Sequence, residues 1–222
     1  VVRVQHRGDP AKASAVDVQY VRQGALKSVT AGHVVLACWH RVIPHIFPEL
    51  PAPQISALND QRKVPLIYTN VLLRNWSALE RLGLESIRTP GHFWRGVEID
   101  FPVSMGSYRF PEKSSEPMLL HLSAIPTSPG LSPREQASAG RARIASLTFE
   151  ELERSIRDLL GRCLGAGGFD PARDIEGLCV NRWAHGYAYE YMRPWDTQWP
   201  SGPLPVEAAR RPLGRVAIAN SD

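Results

Sequence analysis

No apolar run in this sequence approaches the ~20 residues that a membrane-crossing helix needs, which excludes a helical membrane span. Cysteine is scarce: Cys38, Cys163 and Cys179 are odd in number and lack metal or thiol–disulfide spacing. Buried free thiols are the expectation, and the compartment, cytoplasm or periplasm, stays open. The net charge is only +4, and the basic residues are scattered rather than gathered into a stripe, which argues against nucleic acid as a partner. There is no Gly-x-Ser-x-Gly elbow and no Cys/His pattern for a hydrolase. His40 and His45 are spaced off any one helical face, so no metal site is expected from them. A Gly-x-Gly-x-x-Gly phosphate-binding fingerprint between a strand and a helix is also absent. Gly165–Gly168 follows a helical pattern and reads as its C-terminal cap.

The rest is ordinary globular composition: 222 residues, 43% hydrophobic and 22% charged, enough for one large or two small domains. The chain opens on Val1 inside a strand pattern, which reads as a piece of a longer protein. Val1–His6, Val16–Val21 and Leu26–Thr30 alternate apolar with polar residues as short strands. Gly32–Cys38 is continuously apolar, the pattern of a strand buried on both faces.

From Trp39 onward, helices and longer strands mix. Short helices are expected at Trp39–Phe47 and Pro51–Gln61, and a long strand at Val64–Leu73 with Pro65 near its start. A helical turn at Asn75–Leu82 and strands at Gly96–Phe101 and Pro117–Ser123 follow. Ser132-Pro133-Arg134-Glu135 and Thr148-Phe149-Glu150-Glu151 are two capping boxes. The second opens a helix with Phe149, Leu152, Ile156, Leu159, Leu160 and Cys163 on one face. Asp170-Pro171 caps a further turn before a strand from Ile175 to Val180.

The stretch from Val180 to Tyr191 then turns aromatic and polar. Trp183, Tyr187, Tyr189 and Tyr191 can build a wall for a flat ligand, or can serve as core and edge-strand aromatics. Gly186 marks a bend or a close approach. The chain closes on Arg211-Pro-Leu-Gly-Arg-Val-Ala-Ile-Ala-Asn-Ser-Asp222, a turn, a short strand and a terminal carboxylate.

These two segments, Asn-Arg-Trp-Ala-His-Gly-Tyr-Ala-Tyr-Glu-Tyr and the closing strand-and-turn, resemble the C-terminal end of flavin-containing amine oxidoreductases. Their wording is most similar to the bacterial spermidine-dehydrogenase-like branch. The resemblance implies an α/β fold: part of a split FAD/NAD(P)-binding Rossmann-like domain with an inserted mixed sheet-and-helix substrate domain. Residues 1–38 and 169–222 would then belong to an incomplete FAD domain, and 39–168 to the substrate-binding lobe. The implied cofactor is FAD, and the implied chemistry is hydride transfer from the carbon beside an amine to the flavin. The implied partners are a small-molecule amine, such as the polyamine spermidine, and an electron acceptor that the sequence does not identify.

By the same resemblance, Tyr187 and Tyr189 flank the substrate amine, Trp183 and Gly186 lie near the flavin, and Ser221 and Asp222 touch its ribityl-pyrophosphate portion. The last turn lacks the family's glycine. The backbone of Val1 or Val2 would read the adenine edge. Lys63 is either the lysine that many relatives place near flavin N5 or a solvated loop lysine. A polyamine needs carboxylates for its distal ammonium groups, and Glu98, Asp100 and Glu190 form the pool of candidates. A non-catalytic binding module on the same scaffold is the alternative, and a third reading is an oxidoreductase of non-amine substrates. Acidic groups lining the pocket would speak against the third.

Overall fold

The computed structural model describes residues 1–192, 196 and 201–220. Two compact units emerge: Val1–Lys63 with Tyr187–Asp222, and Val64–Gly186. The chain therefore passes between them at 63/64 and 186/187, against expected boundaries at 38/39 and 168/169.

In the first unit, β1 (Arg3–His6), β2 (Val16–Arg22) and β3 (Ala25–Ala31) form an antiparallel sheet in sequence order. β4 follows at Val34–Leu36. It is shorter than the apolar run around it, and Val35 is 61% exposed, so the strand is not buried on both faces. A 3₁₀ turn (His40–Val42), α1 (Ile43–Ile46) and α2 (Ala52–Asp60) come next. Ile43, Phe47, Leu50 and Leu58 from this stretch share one core with Val4, Val16 and Leu36. That packing is why residues 39–63 belong to the first unit.

The second unit is built on β5 (Lys63–Leu73). After α3 (Ser77–Leu82) come β6 (Ser86–Arg88), β7 (Gly96–Ile99) and β8 (Met118–Ala124). Then follow α4 (Pro133–Ser146), α5 (Phe149–Leu164), α6 (Pro171–Asp174) and β9 (Ile175–Ala188). The strands form one sheet in the order β6-β7-β8-β5-β9. Pro65 precedes the β8 ladder, which begins at Ile67 opposite Ala124, so its missing N–H costs that ladder nothing.

Both capping boxes form: Ser132 accepts from the Glu135 N–H and Thr148 from the Glu151 N–H, with each glutamate reaching back. Leu152, Ile156, Leu159, Leu160 and Leu164 of α5 are buried with Ile144 of α4. They pack on Ile67, Val71, Leu73, Val97, Leu120 and Leu122, which share one face of the sheet. Phe149, expected on that face, is 43% exposed at the first position of α5, where the helix has barely reached the core.

Gly140 is where α4 comes closest to its neighbours. A Cβ there would lie 2.5 Å from the Pro126 carbonyl oxygen and 2.6 Å from Pro65 Cγ. Ala normally stabilises a helix interior over Gly by about 1 kcal/mol. Gly140→Ala is instead expected to destabilise the unit by about 1–3 kcal/mol, because backbone must move. Urea denaturation of the two proteins checks the sign, and a more stable variant would contradict the packing.

The chain returns to the first unit through α7 (Pro205–Ala209) and β10 (Val216–Ile218). β10 pairs in parallel with β4, Val216 opposite Val34 and Ile218 opposite Leu36. His6 ties this return to β1: it is 4% exposed, its Nδ1 lies 2.7 Å from Glu49 Oε2, and its Nε2 accepts the Arg215 N–H at 3.0 Å. Nδ1 therefore carries the ring proton and donates it to the carboxylate.

Candidate functional site

Alternation along the strands of the second unit divides its side chains between two faces. Ile67, Thr69 and Val71 of β5 and Leu120 and Leu122 of β8 turn to the helices. Tyr68 and Asn70 of β5 and His121 of β8 turn the other way, and register places Asn70 and Glu98 directly opposite His121 on its two sides. On β9, Leu178 and Val180 pack into the helix-side core, and Arg182 reaches the carbonyls of Ile144 and Leu147. Asn181 bonds the Tyr68 carbonyl at 3.3 Å from the opposite face.

The open face carries a hydrogen-bonded chain. His121 Nδ1 lies 2.8 Å from Asn70 Oδ1, and His121 Nε2 lies 2.9 Å from Asp100 Oδ1. Asp100 also accepts from the Phe101 N–H at 2.8 Å and from the Tyr108 hydroxyl at 3.2 Å. The Tyr68 ring stacks on His121, with centroids 5.3 Å apart and planes 26° apart. Because an ionised carboxylate only accepts, Nε2 carries a proton. The orientation of the Asn70 amide then decides whether Nδ1 donates or accepts.

Burial pulls the Asp100 carboxyl upward. The bonds from His121, Phe101 and Tyr108 together outweigh it, so its pKa sits below the ordinary aspartate value. The result is a carboxylate held ionised although its side chain is only 24% exposed. Tyr108 shifts upward, through burial first and then through the bond to Asp100.

Asp100 and Tyr108 line a cavity of about 600 Å³ together with Leu72, Leu119, Arg109, Glu112 and Glu116. The Glu116 carboxylate is committed to the turn below it, accepting the N–H groups of Glu112 and Lys113. The arrangement can hold a positively charged nitrogen against Asp100 with apolar contacts along the rest of its body.

The other sequence candidates lie elsewhere. Glu98 is on the open face but is paired with Arg88 at 2.8 Å, with side chains 71% and 49% exposed for the arginine and the glutamate. Glu190 is exposed beyond the end of β9. Trp183 is an exposed ring on β9. Gly186 serves a close approach rather than a bend, since a Cβ would lie 2.7 Å from Leu66 Cβ and 3.2 Å from the Val64 carbonyl oxygen. Lys63 is half-buried as the first residue of β5.

In the first unit, Tyr187 is exposed, whereas Tyr189 donates to Asp196 at 2.8 Å and lies edge-on to Tyr191. The Arg62 guanidinium sits 5.4 Å from the Tyr189 ring centroid. Burial, and next the charge of Asp60, push the Tyr191 hydroxyl up to about 12. Val1 and Val2 are exposed ahead of β1, and the Val2 N–H donates to the Gln19 carbonyl. Ser221 and Asp222 lie outside the described residues.

The sequence reading missed Tyr68, Asn70, Tyr108 and His121. For His121 a signal existed: Met118-Leu-Leu-His-Leu alternates, and the histidine falls opposite Leu120 and Leu122.

No protein-family model and no curated protein matches the sequence. Solved structures do match in fold. Cyclohexylamine oxidase from Brevibacterium oxydans IH-35A aligns with 98% of this chain at a TM-score of 0.62 and 17% identity. Wild-type putrescine oxidase bound to putrescine aligns with 94% at 0.61 and 19% identity. A redesigned double mutant of putrescine oxidase aligns with 94% at 0.62 and 19% identity. The chain spans 41% of the first structure and 40% of the other two. The fold is thus the mixed α/β arrangement of part of those chains.

Proposed function

We propose that the chain forms part of an FAD-dependent amine oxidoreductase and that its second unit binds the amine. The observation that carries this reading is the correspondence of fold with an amine oxidase over 98% of the chain. The aromatic segment at 180–191 and the closing segment at 211–222 support it independently, through their resemblance to flavin amine oxidoreductases.

The residues present fit FAD in part. Trp183 offers an exposed aromatic side chain for an isoalloxazine to cover. Val2 has given its N–H to the β-ladder, which leaves the adenine edge to Val1. The pyrophosphate would be held by a Gly-rich turn that this sequence does not contain. Bound FAD would supply the hydride acceptor. This chain's own part is to position and to exclude water. Asp100, kept ionised, pairs with a cationic nitrogen of the substrate, and His121, Asn70 and the stacked Tyr68 hold Asp100 in place. Leu72 and Leu119 line the same cavity with apolar surface.

The substrate class that follows is an amine with a second cationic nitrogen, a diamine or a polyamine such as spermidine. Asp100 and Glu112 on the cavity wall, beside an Arg109 guanidinium that is bonded to the Gly106 and Tyr108 carbonyls, favour that class over non-amine substrates. The visible absorption spectrum of the chain joined to the N-terminal segment of its parent protein tests the reading. Flavin bands that bleach anaerobically on adding a diamine are the expected result. A folded, colourless protein would overturn it in favour of a non-catalytic binding module.

A further inference from the structure

We propose that a second cavity in the Val64–Gly186 unit, between α4 and the connections before β7 and after β8, binds a small organic anion. It measures about 760 Å³ and shares no lining residue with the cavity that holds Asp100. A volume of that size accommodates a ligand of small-molecule dimensions.

Arg95 and Arg143 contribute guanidinium groups to this cavity, Thr127 and Ser128 hydroxyls, and His92 a ring; no Asp or Glu lines it. The His92 ring has a defined donor: its Nδ1 accepts the Trp94 N–H at 3.3 Å, so Nε2 bears the hydrogen. Arg74, Arg88 and Arg157 of this unit are paired with Glu176, Glu98 and Glu153, and Arg81, Arg109 and Arg182 bond backbone carbonyls. Arg95 and Arg143 have no ion pair among the described residues. The charge of Arg143 does reach Glu151, but that carboxylate accepts the Thr148 N–H in the α5 capping box and lies outside the cavity lining.

Five potential donors and no carboxylate make a lining that repels cations and matches an oxyanion, with each guanidinium able to bond it through two parallel N–H groups. Phe93, Ile125 and Pro126 add apolar surface beside those donors. The ligand is therefore a carboxylate or phosphate on an apolar body, the opposite charge class from the amine assigned to the Asp100 cavity.

Isothermal titration of the full chain with phenyl phosphate, benzoate and the neutral analogue benzyl alcohol tests this. At least one of the two anions is expected to bind with a dissociation constant of about 0.1–1 mM. Which of them binds more tightly separates phosphate from carboxylate recognition. Arg95→Gln with Arg143→Gln should weaken that binding about tenfold or more, with thermal unfolding unchanged because both side chains are exposed. Absence of binding by either anion, equal binding of benzyl alcohol, or unaltered binding by the double variant would each overturn the proposal. Flavin content does not enter the readout, so failure here is separate from failure of the amine reading.

Discussion

Replacing Trp94 with Ala destabilises the second unit by about 3–5 kcal/mol, the largest stability effect expected of a single change here. Trp94 is fully buried in the core that α5 shares with the sheet. It is held by three kinds of contact. The indole N–H donates to Ser155 Oγ at 3.0 Å, the ring meets Phe93 edge-on with centroids 5.2 Å apart, and the backbone bonds His92 through its N–H and Thr89 through its carbonyl. Truncation opens a cavity the size of an indole and leaves the Ser155 hydroxyl without its partner. Trp94→Phe keeps most of the volume and loses only the bond to Ser155, so its cost is smaller, about 1–2 kcal/mol. Hydrogen exchange followed by mass spectrometry reads both effects in peptides from residues 64–186. Protection lost by less than about 1 kcal/mol in the Ala variant would mean that Trp94 is not a core residue.

What the sequence reveals divides by range. The capping boxes at Ser132 and Thr148 are legible because each closes within four residues, and both helices start where those residues place them. The strands β5 and β8 are legible from alternation. The parallel pairing of β4 with β10 joins segments at opposite ends of the chain and has no local signal. The apolar run at Gly32–Cys38 suggests burial on both faces, yet Val35 is exposed, because an apolar run reports preference whereas burial needs a neighbour on each side. The polar second half of β9 reads as a departure from strand structure. It nevertheless stays extended to Ala188, since β5 supplies its ladder and Gly186 admits the Leu66 side chain. At the site, Asp100 stands out as a carboxylate in a strand-like segment. Its partners do not, because His121 is 21 residues away and Asn70 lies 51 residues from His121. Only the register of three strands brings them together, and Tyr108 comes from a connection with no period at all.

If the proposed function holds, Asp100→Asn in the FAD-loaded protein is expected to lower kcat/KM for a diamine about 100-fold and for a matching monoamine by less than threefold. The side chain is isosteric, and its remaining oxygen can still accept from His121 Nε2–H or from the Phe101 N–H, so the cluster keeps its shape. The variant loses the negative charge that, under that proposal, would meet the second ammonium group. Equal losses on the two amines would mean that Asp100 only shapes the unit, and no loss on either would place the distal nitrogen elsewhere. A pH titration of stability separates the two roles further. The folded-state pKa of Asp100 lies below its unfolded value of about 3.9. The stability it contributes is therefore fully present above that value and is lost as pH falls through the folded-state value. Wild type should accordingly lose stability below about pH 4 more steeply than Asp100→Asn, whose side chain does not titrate. A diamine-specific loss of turnover together with a flattened acid limb is the joint signature of a carboxylate kept ionised by His121 and Tyr108 so that it can receive a cation.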